Sequence, residues 1–191
     1  MSRLSKYCAL WVALTFAATT PVVTNADPAV DPKLRLALKQ AVSDTLGFSD
    51  QIAAASWLND MSSRLESRIP DPFYRAELLK LAHNEATRAS LEPELVLAVI
   101  QVESEFDRFA VSPRGARGLM QVMPFWVNEI GRPEDNLFHP ATNLRYGCTI
   151  LRYYLDRTQG NLTDALARYN GSVGTREYAN KVYLTLRTRW R

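Results

Sequence analysis

Residues 93–106 read PELVLAVIQVESEF, and this stretch decides the fold. Pro93 suits the first position of a helix, where the N–H it lacks would have had no partner anyway. From Leu95 to Ile100 every position is apolar, so a helix built here has no face to offer to water. Such a helix belongs in the middle of a core. A buried strand is the competing reading of an apolar run, but the length of this one and its leucine and alanine content favour a helix over 93–106.

Outward from this stretch the helical period continues. On the N-terminal side the spacing predicts helices over 31–46, 50–68 and 71–89. Asp31-Pro32 and Asp71-Pro72 supply cap and first-turn residues, and Gly47 and Pro70 supply stops. Ile52, Ala55, Leu58, Met61 and Leu65 form the expected apolar stripe of the second helix. Phe73, Leu78, Leu81 and Ala82 are the expected buried side of the third. Trp57 is compatible with core packing or with stacking on a sugar, and core packing is favoured. On the C-terminal side, residues 107–118 hold one proline and two glycines and read as a loop, with a small hairpin as the alternative. Short helices are expected over 116–122 and 125–130, then longer ones over 143–157, 162–169 and 175–188. The fold class is therefore all-α or mainly α. A helical N-terminal extension over 27–89 precedes a chemical domain over 90–191.

The first 26 residues stand apart. Arg3 and Lys6 precede the uncharged run Cys8–Ala18, and Thr24 and Ala26 are small residues placed for cleavage. Residues 1–26 are read as a signal peptide, with an uncleaved membrane anchor as the alternative. The formal charge of +3 includes Arg3 and Lys6, so the exported chain is close to neutral. It lacks the dense basic stripe of a nucleic-acid binder. Cys148 is then the remaining cysteine and reads as a buried small hydrophobe. His83 and His139 are the only histidines, which suggests neither a thiol–imidazole pair nor a zinc site.

The chemistry-bearing residue is Glu103. It follows LAVIQV and shares a helical face with Val96, Val99 and Ile100. Desolvation on such a face disfavours the anion, and so does the negative end of the helix dipole. A glutamate kept protonated near neutral pH is what a general acid requires. The competing reading is a helix-exit glutamate paired with Arg114 or Arg117. Glu105 lies about 200° further round the helix and faces solvent.

The strings QVESEF, AVSPRGARGLMQVMP and ARYNGS together resemble the catalytic domain of the soluble lytic transglycosylases. The resemblance runs over roughly residues 90–185. It implies a goose-lysozyme-like helical fold and cleavage of the bond between N-acetylmuramic acid and N-acetylglucosamine in peptidoglycan. By position, the family's catalytic glutamate falls on Glu103. Ser112 is expected to place that glutamate or the substrate acetamido group, although alone it reads as a turn hydroxyl. Gly115 and Gly118 are expected to let the backbone approach the helix of Glu103 and a sugar. Met120 is expected to line the cleft, although alone it reads as core. Gln121 is expected to hydrogen-bond to substrate, since an amide in such apolar company needs a partner. Tyr169 is expected to aim its hydroxyl at Glu103 or the reacting sugar, and Asn170 to fix the turn or a substrate group. The chain departs from the family at Phe125-Trp126, at Gly171-Ser172 and at His139-Pro140, while Asn143 and Gly147 keep the spacing.

The resemblance also implies a mechanism with one glutamate, no metal and no cofactor, giving a 1,6-anhydro sugar. Its partner is the glycan strand of peptidoglycan. The protein is expected to act as a monomer in the periplasm, with association to the membrane or to other wall enzymes open for the extension. Two rivals remain at this point: a muramidase- or chitinase-type hydrolase on the same fold, and a non-catalytic wall-binding protein. A hydrolase would want a second carboxylate, and Asp107, four residues after Glu103, shares its side if the helix continues that far.

Overall fold

The structure, a computed structural model, describes residues 51–191. The signal peptide expected over 1–26 and the helix expected over 31–46 lie outside the described residues. Within them the chain forms α1 (Gln51–Leu65), α2 (Pro72–Arg88), α3 (Pro93–Ser104), α4 (Phe125–Ile130), α5 (Pro140–Arg157), α6 (Leu162–Asn170) and α7 (Glu177–Thr185). A π-helical turn, Leu186–Trp190, follows α7. The all-α expectation holds. The extended pairing among the described residues is two isolated bridges, Val111 with Arg117 and Arg117 with Val122.

The centre of the molecule is α3. Val96, Leu97, Ala98, Val99 and Ile100 are fully buried, and Leu95 is nearly so. Burying each of the larger of these side chains contributes about 1.5–3 kcal/mol, set against the entropy of ordering the chain. α2 packs on α3 from one direction, and α7 with the π-helical turn packs from another. Leu58 and Leu65 of α1 and Leu78 and Leu79 of α2 belong to the same apolar cluster as α3. The core therefore runs across residue 90 without a break. Buried Arg75 fastens α1 to α2, with Nε donating to Ser62 Oγ and Nη1 to the Ile69 carbonyl. Trp57 Nε1 donates to Glu94 at 2.7 Å, and its ring meets His83 edge-on, so it serves packing.

α3 stops at Ser104 rather than at 106. Glu105 and Phe106 both take left-handed backbone, with φ of 50° and 69°, and no helix continues through two such residues. Phe106 is held there because its ring is buried against Trp190, 5.6 Å between centroids. Trp190 in turn donates to buried Gln101.

The helix expected over 116–122 is not formed. Gly118 and Gln121 have φ of 73° and 48°, and Arg117 and Val122 exchange both backbone hydrogen bonds. This reversal is clamped from α5. Asn143 Oδ1 accepts from Met120 N–H at 2.8 Å, and Nδ2 donates to the Arg117 and Leu137 carbonyls at 2.8 and 2.7 Å. The approach is so close that a Cβ on Gly118 would lie 2.5 Å from Asn143 Nδ2 and from Leu137 O. The close backbone approach expected at this glycine is thus to α5 and Leu137, not to the helix of Glu103.

Other boundaries shift for local reasons. α5 begins at Pro140, three residues before the expected start, because Pro140 occupies its first turn behind His139. The apolar stripe of α1 is correct at Leu58, Met61 and Leu65, but Ile52 and Ala55 are exposed and Ala54 is buried instead. In α2, Leu78 and Ala82 are buried while Phe73 is 41% exposed.

Asn143→Ala is expected to leave the Met120 N–H and the Leu137 carbonyl without partners, while the Arg117 carbonyl keeps only the Val122 N–H. Stability should fall by about 2–4 kcal/mol, read as an earlier urea midpoint. An unchanged midpoint would show that the clamp is dispensable.

Candidate active site

The end of α3 delivers Glu103 to the floor of a groove of about 560 Å3. Ser112, Gln121, Tyr169 and Asn170 line the same groove, together with Phe125, Trp126 and Tyr154. Five of the six site residues expected from the sequence are thus brought together. The reversed loop supplies Ser112 and Gln121, α3 supplies Glu103, and the end of α6 supplies Tyr169 and Asn170.

Burial pushes the Glu103 carboxyl above its ordinary range, while hydrogen bonds from Tyr178 and Asn170 pull in the opposite direction. The Tyr178 hydroxyl donates to Glu103 Oε1 at 2.6 Å. Tyr178 stays protonated as a donor because burial and the nearby carboxylate raise its own pKa well above normal. Among the described residues no arginine or lysine forms an ion pair with Glu103. Arg114 lines the groove, and the Arg117 guanidinium sits over the Phe138 ring. Desolvation without a cationic partner is thus the dominant influence on this acid.

Each remaining residue has a definite place. Ser112 Oγ accepts from Ala116 N–H at 3.0 Å, so it holds the loop as well as facing the groove. Gln121 finds its partners in the Ala110 and Gly118 carbonyls, to which Nε2 donates at 3.1 and 2.9 Å. Its side-chain oxygen makes no hydrogen bond within the described residues. The Tyr169 hydroxyl has its pKa raised well above normal, by burial first and then by the nearby Glu103 carboxylate. It donates to the Met120 carbonyl at 2.7 Å, and the position beside the acid is taken by Tyr178. The expectation for Met120 is corrected: its side chain is fully buried and is absent from the groove lining. It fills the space that Gly147 leaves on α5, where a Cβ would stand 2.3 Å from its sulfur. Phe125, 52% exposed, and half-buried Trp126 form an aromatic wall, their rings 5.1 Å apart.

Tyr178 was not singled out by the sequence. The signal was a tyrosine on the buried face of the last helix beside Ala179 and Val182, where its hydroxyl needs a partner. Ser104 was also passed over. Its Oγ lies 2.8 Å from the Leu119 carbonyl and ties the loop to the end of α3. Asp107 accepts from Phe109 N–H and lies outside the groove lining. Glu103 is the single acid lining the groove. A smaller recess of about 230 Å3 shares Glu103 and Asn170 and is bordered by Tyr178, Lys181 and exposed Glu177.

A half-buried acid at a helix end, set in a groove with amide, hydroxyl and aromatic walls, can give a proton to a ligand held there. The chain belongs to the transglycosylase SLT domain family, which its sequence matches over residues 80–185. It is 36% identical over 100 residues to a transglycosylase of Enterobacteria phage PRD1, covering 49% of this chain and 37% of that protein. It is 32% identical over 113 residues to a membrane-bound lytic murein transglycosylase C of Yersinia enterocolitica, covering 51% and 32%. The chain thus spans about a third of the length of these curated relatives. Among solved structures it is similar to a lytic transglycosylase of Pseudomonas aeruginosa at 27% identity, covering 81% of this chain and 26% of that one, with a TM-score of 0.47. The corresponding figures for the soluble lytic transglycosylase of Escherichia coli are 20%, 81%, 25% and 0.44.

A group whose folded pKa is raised contributes stability at acid pH and loses it as pH rises through that pKa. Glu103→Gln, isosteric with the protonated acid, is expected to match the parent Tm below that pH and exceed it above. A lower Tm at neutral pH would mean that the ionised carboxylate is stabilised in the fold.

Proposed function

We propose that this protein cleaves the glycan strands of peptidoglycan as a lytic transglycosylase, with Glu103 as the one general acid and base. The observation that carries the reading is the Glu103 carboxyl, raised by burial, as the single acid on the wall of a groove large enough for a glycan. Family membership and the names of the relatives support it. Export to the periplasm, with residues 1–26 as the signal peptide, is part of the proposal. Among the described residues no helix is long and apolar enough to cross a membrane.

Protonated Glu103 gives its proton to the glycosidic oxygen between N-acetylmuramic acid and N-acetylglucosamine. The carbonyl oxygen of the muramic acetamido group stabilises C1 from within the substrate as the bond breaks. The Glu103 carboxylate then takes the proton from the C6 hydroxyl, and O6 bonds to C1. The product is a 1,6-anhydro end, and no water is consumed. Tyr178 and Asn170 hold the carboxyl in one orientation and ease its anionic form between the two transfers. Positioning of this kind lowers the barrier by removing freedom before the reaction. Gln121 presents its unengaged side-chain oxygen for an amide or hydroxyl of the sugar, and Phe125 and Trp126 offer ring faces.

A hydrolytic reading has one observation in its favour, the exposed Glu177 bordering the recess on the far side of Glu103. Two flanking carboxylates are the usual equipment for glycoside hydrolysis. Product masses and one variant separate the readings. Peptidoglycan digests should carry anhydro ends, lighter by a water molecule than reducing ends, and Glu177→Gln should leave turnover within about twofold, since removing a true second acid or base costs about 100-fold or more. Reducing ends together with a collapse in Glu177→Gln would establish the hydrolase.

Glu103→Gln should stay folded and lose at least about 1,000-fold in cleavage, within the span ascribed to general acid–base catalysis. Tyr178→Phe removes a hydrogen bond that favours the anion, so Glu103 should hold its proton to higher pH. The alkaline limb of the pH–rate profile should move upward. A limb that stayed in place would separate Tyr178 from the titration of the acid.

A further inference from the structure

Away from the groove the structure holds a second cavity of similar size, about 570 Å3. The two are separated by α4. Phe125 and Trp126 at its start wall the groove, and Ile130 at its end walls this cavity with Gly131. The cavity is basic. Arg88, Arg132 and Arg145 converge on it, and Asp135 is the one acid in its lining. The buried Glu85 carboxylate pairs with Arg88 and Arg145, which fixes those two guanidinium groups and neutralises part of their charge. Asp135 is engaged from within, accepting from the Tyr146 hydroxyl and the Arg132 N–H. The Arg132 guanidinium has no ion pair among the described residues. Thr142 and Thr149 add hydroxyls. A smaller cavity of about 260 Å3 shares His139 and Ala141 with this one. It contains Arg108, whose Nε is buried without an acceptor.

We propose that this cavity docks the carboxylate-bearing peptide that peptidoglycan carries beside its glycan. The inference rests on peptidoglycan being the substrate. Neutral sugars give the Arg132 guanidinium, and the donors that Glu85 leaves free on Arg145, nothing ionic to meet, whereas a carboxylate accepts two parallel hydrogen bonds from a guanidinium fork. The volume suits several residues of a peptide rather than a lone ion. The reach also fits. α4 has six residues and is about 9 Å long, and an extended stem of four residues spans about 13 Å. An extended peptide on a sugar in the groove is thus long enough to pass α4 toward Arg132 and Arg145. Glycan is cleaved at one site and the strand's peptide is read at another, with α4 as the ridge between them.

The test uses the full chain and two readouts. First, a synthetic stem tetrapeptide with free carboxylates is titrated against the protein by NMR, beside the same peptide fully amidated and beside inorganic phosphate. The free-carboxylate peptide is expected to bind at least tenfold tighter than the amidated one. It should weaken tenfold in Arg132→Ala and in Arg145→Gln, with the shifted resonances at Arg132, Thr142 and Thr149. Second, KM for peptide-bearing strands should rise in Arg132→Ala, while turnover of peptide-stripped strands stays at the parent value. Equal binding of the amidated peptide, or unchanged affinity in both variants, would overturn the proposal. So would phosphate displacing the peptide and binding tighter than it, which would mark a phosphate site. If the parent protein cleaves neither substrate, the cleavage reading fails, and the peptide titration still decides what the cavity binds.

Discussion

A helix that is apolar on every side has to be wrapped on every side, and most of this structure follows from wrapping α3. α2, α7 and the π-helical turn close around it, with α1 adding to the same core. Two polar side chains near the helix end fall within this enclosure: Gln101, which Trp190 satisfies, and Glu103. The Glu103 carboxyl is partly desolvated, and among the described residues no cation forms an ion pair with it. Burial makes the proton harder to remove than from an ordinary glutamate. The feature that organises the fold therefore also prepares the acid.

The groove exists because the chain after α3 does not resume a helix. Two left-handed residues end α3, and two more, Gly118 and Gln121, fold the following loop back on itself. Such a loop has many backbone groups to satisfy, and from α5 Asn143 satisfies two of them, the Met120 N–H and the Arg117 carbonyl, while also donating to the Leu137 carbonyl. Ser104 holds the loop from the other direction, through the Leu119 carbonyl. Ser112 and Gln121 thus reach the groove on a loop with fixed anchors, which suits a site that must hold a substrate at ångström precision.

The core and the acid were legible in the sequence because both depend on local texture. An unbroken apolar run with a glutamate at its end carries its own reading, whatever packs around it. Ser112, Gln121, Tyr169 and Asn170 were legible through a resemblance spread over several blocks, and all four face the groove. Met120 was misplaced because its destination is the space left by Gly147, 27 residues away, and a sequence does not display empty volume. Tyr178 was missed for a related reason. It meets Glu103 across 75 residues, and nothing near it in the chain suggests an acid. The residues around 116–122 looked helical because left-handed backbone at Gln121 leaves no signature in residue type. Ile52 was assigned to the core on spacing alone, yet it is 80% exposed.

The central claim is that the folded protein makes Glu103 a weaker acid than an ordinary glutamate. The direct measurement follows the side-chain carboxyl carbon of Glu103 by carbon-13 NMR through a pH titration, in the folded protein and in the urea-unfolded chain. The account predicts a higher midpoint in the folded protein, moving higher still when Tyr178 is replaced by phenylalanine. A folded midpoint at or below that of the unfolded chain would contradict it.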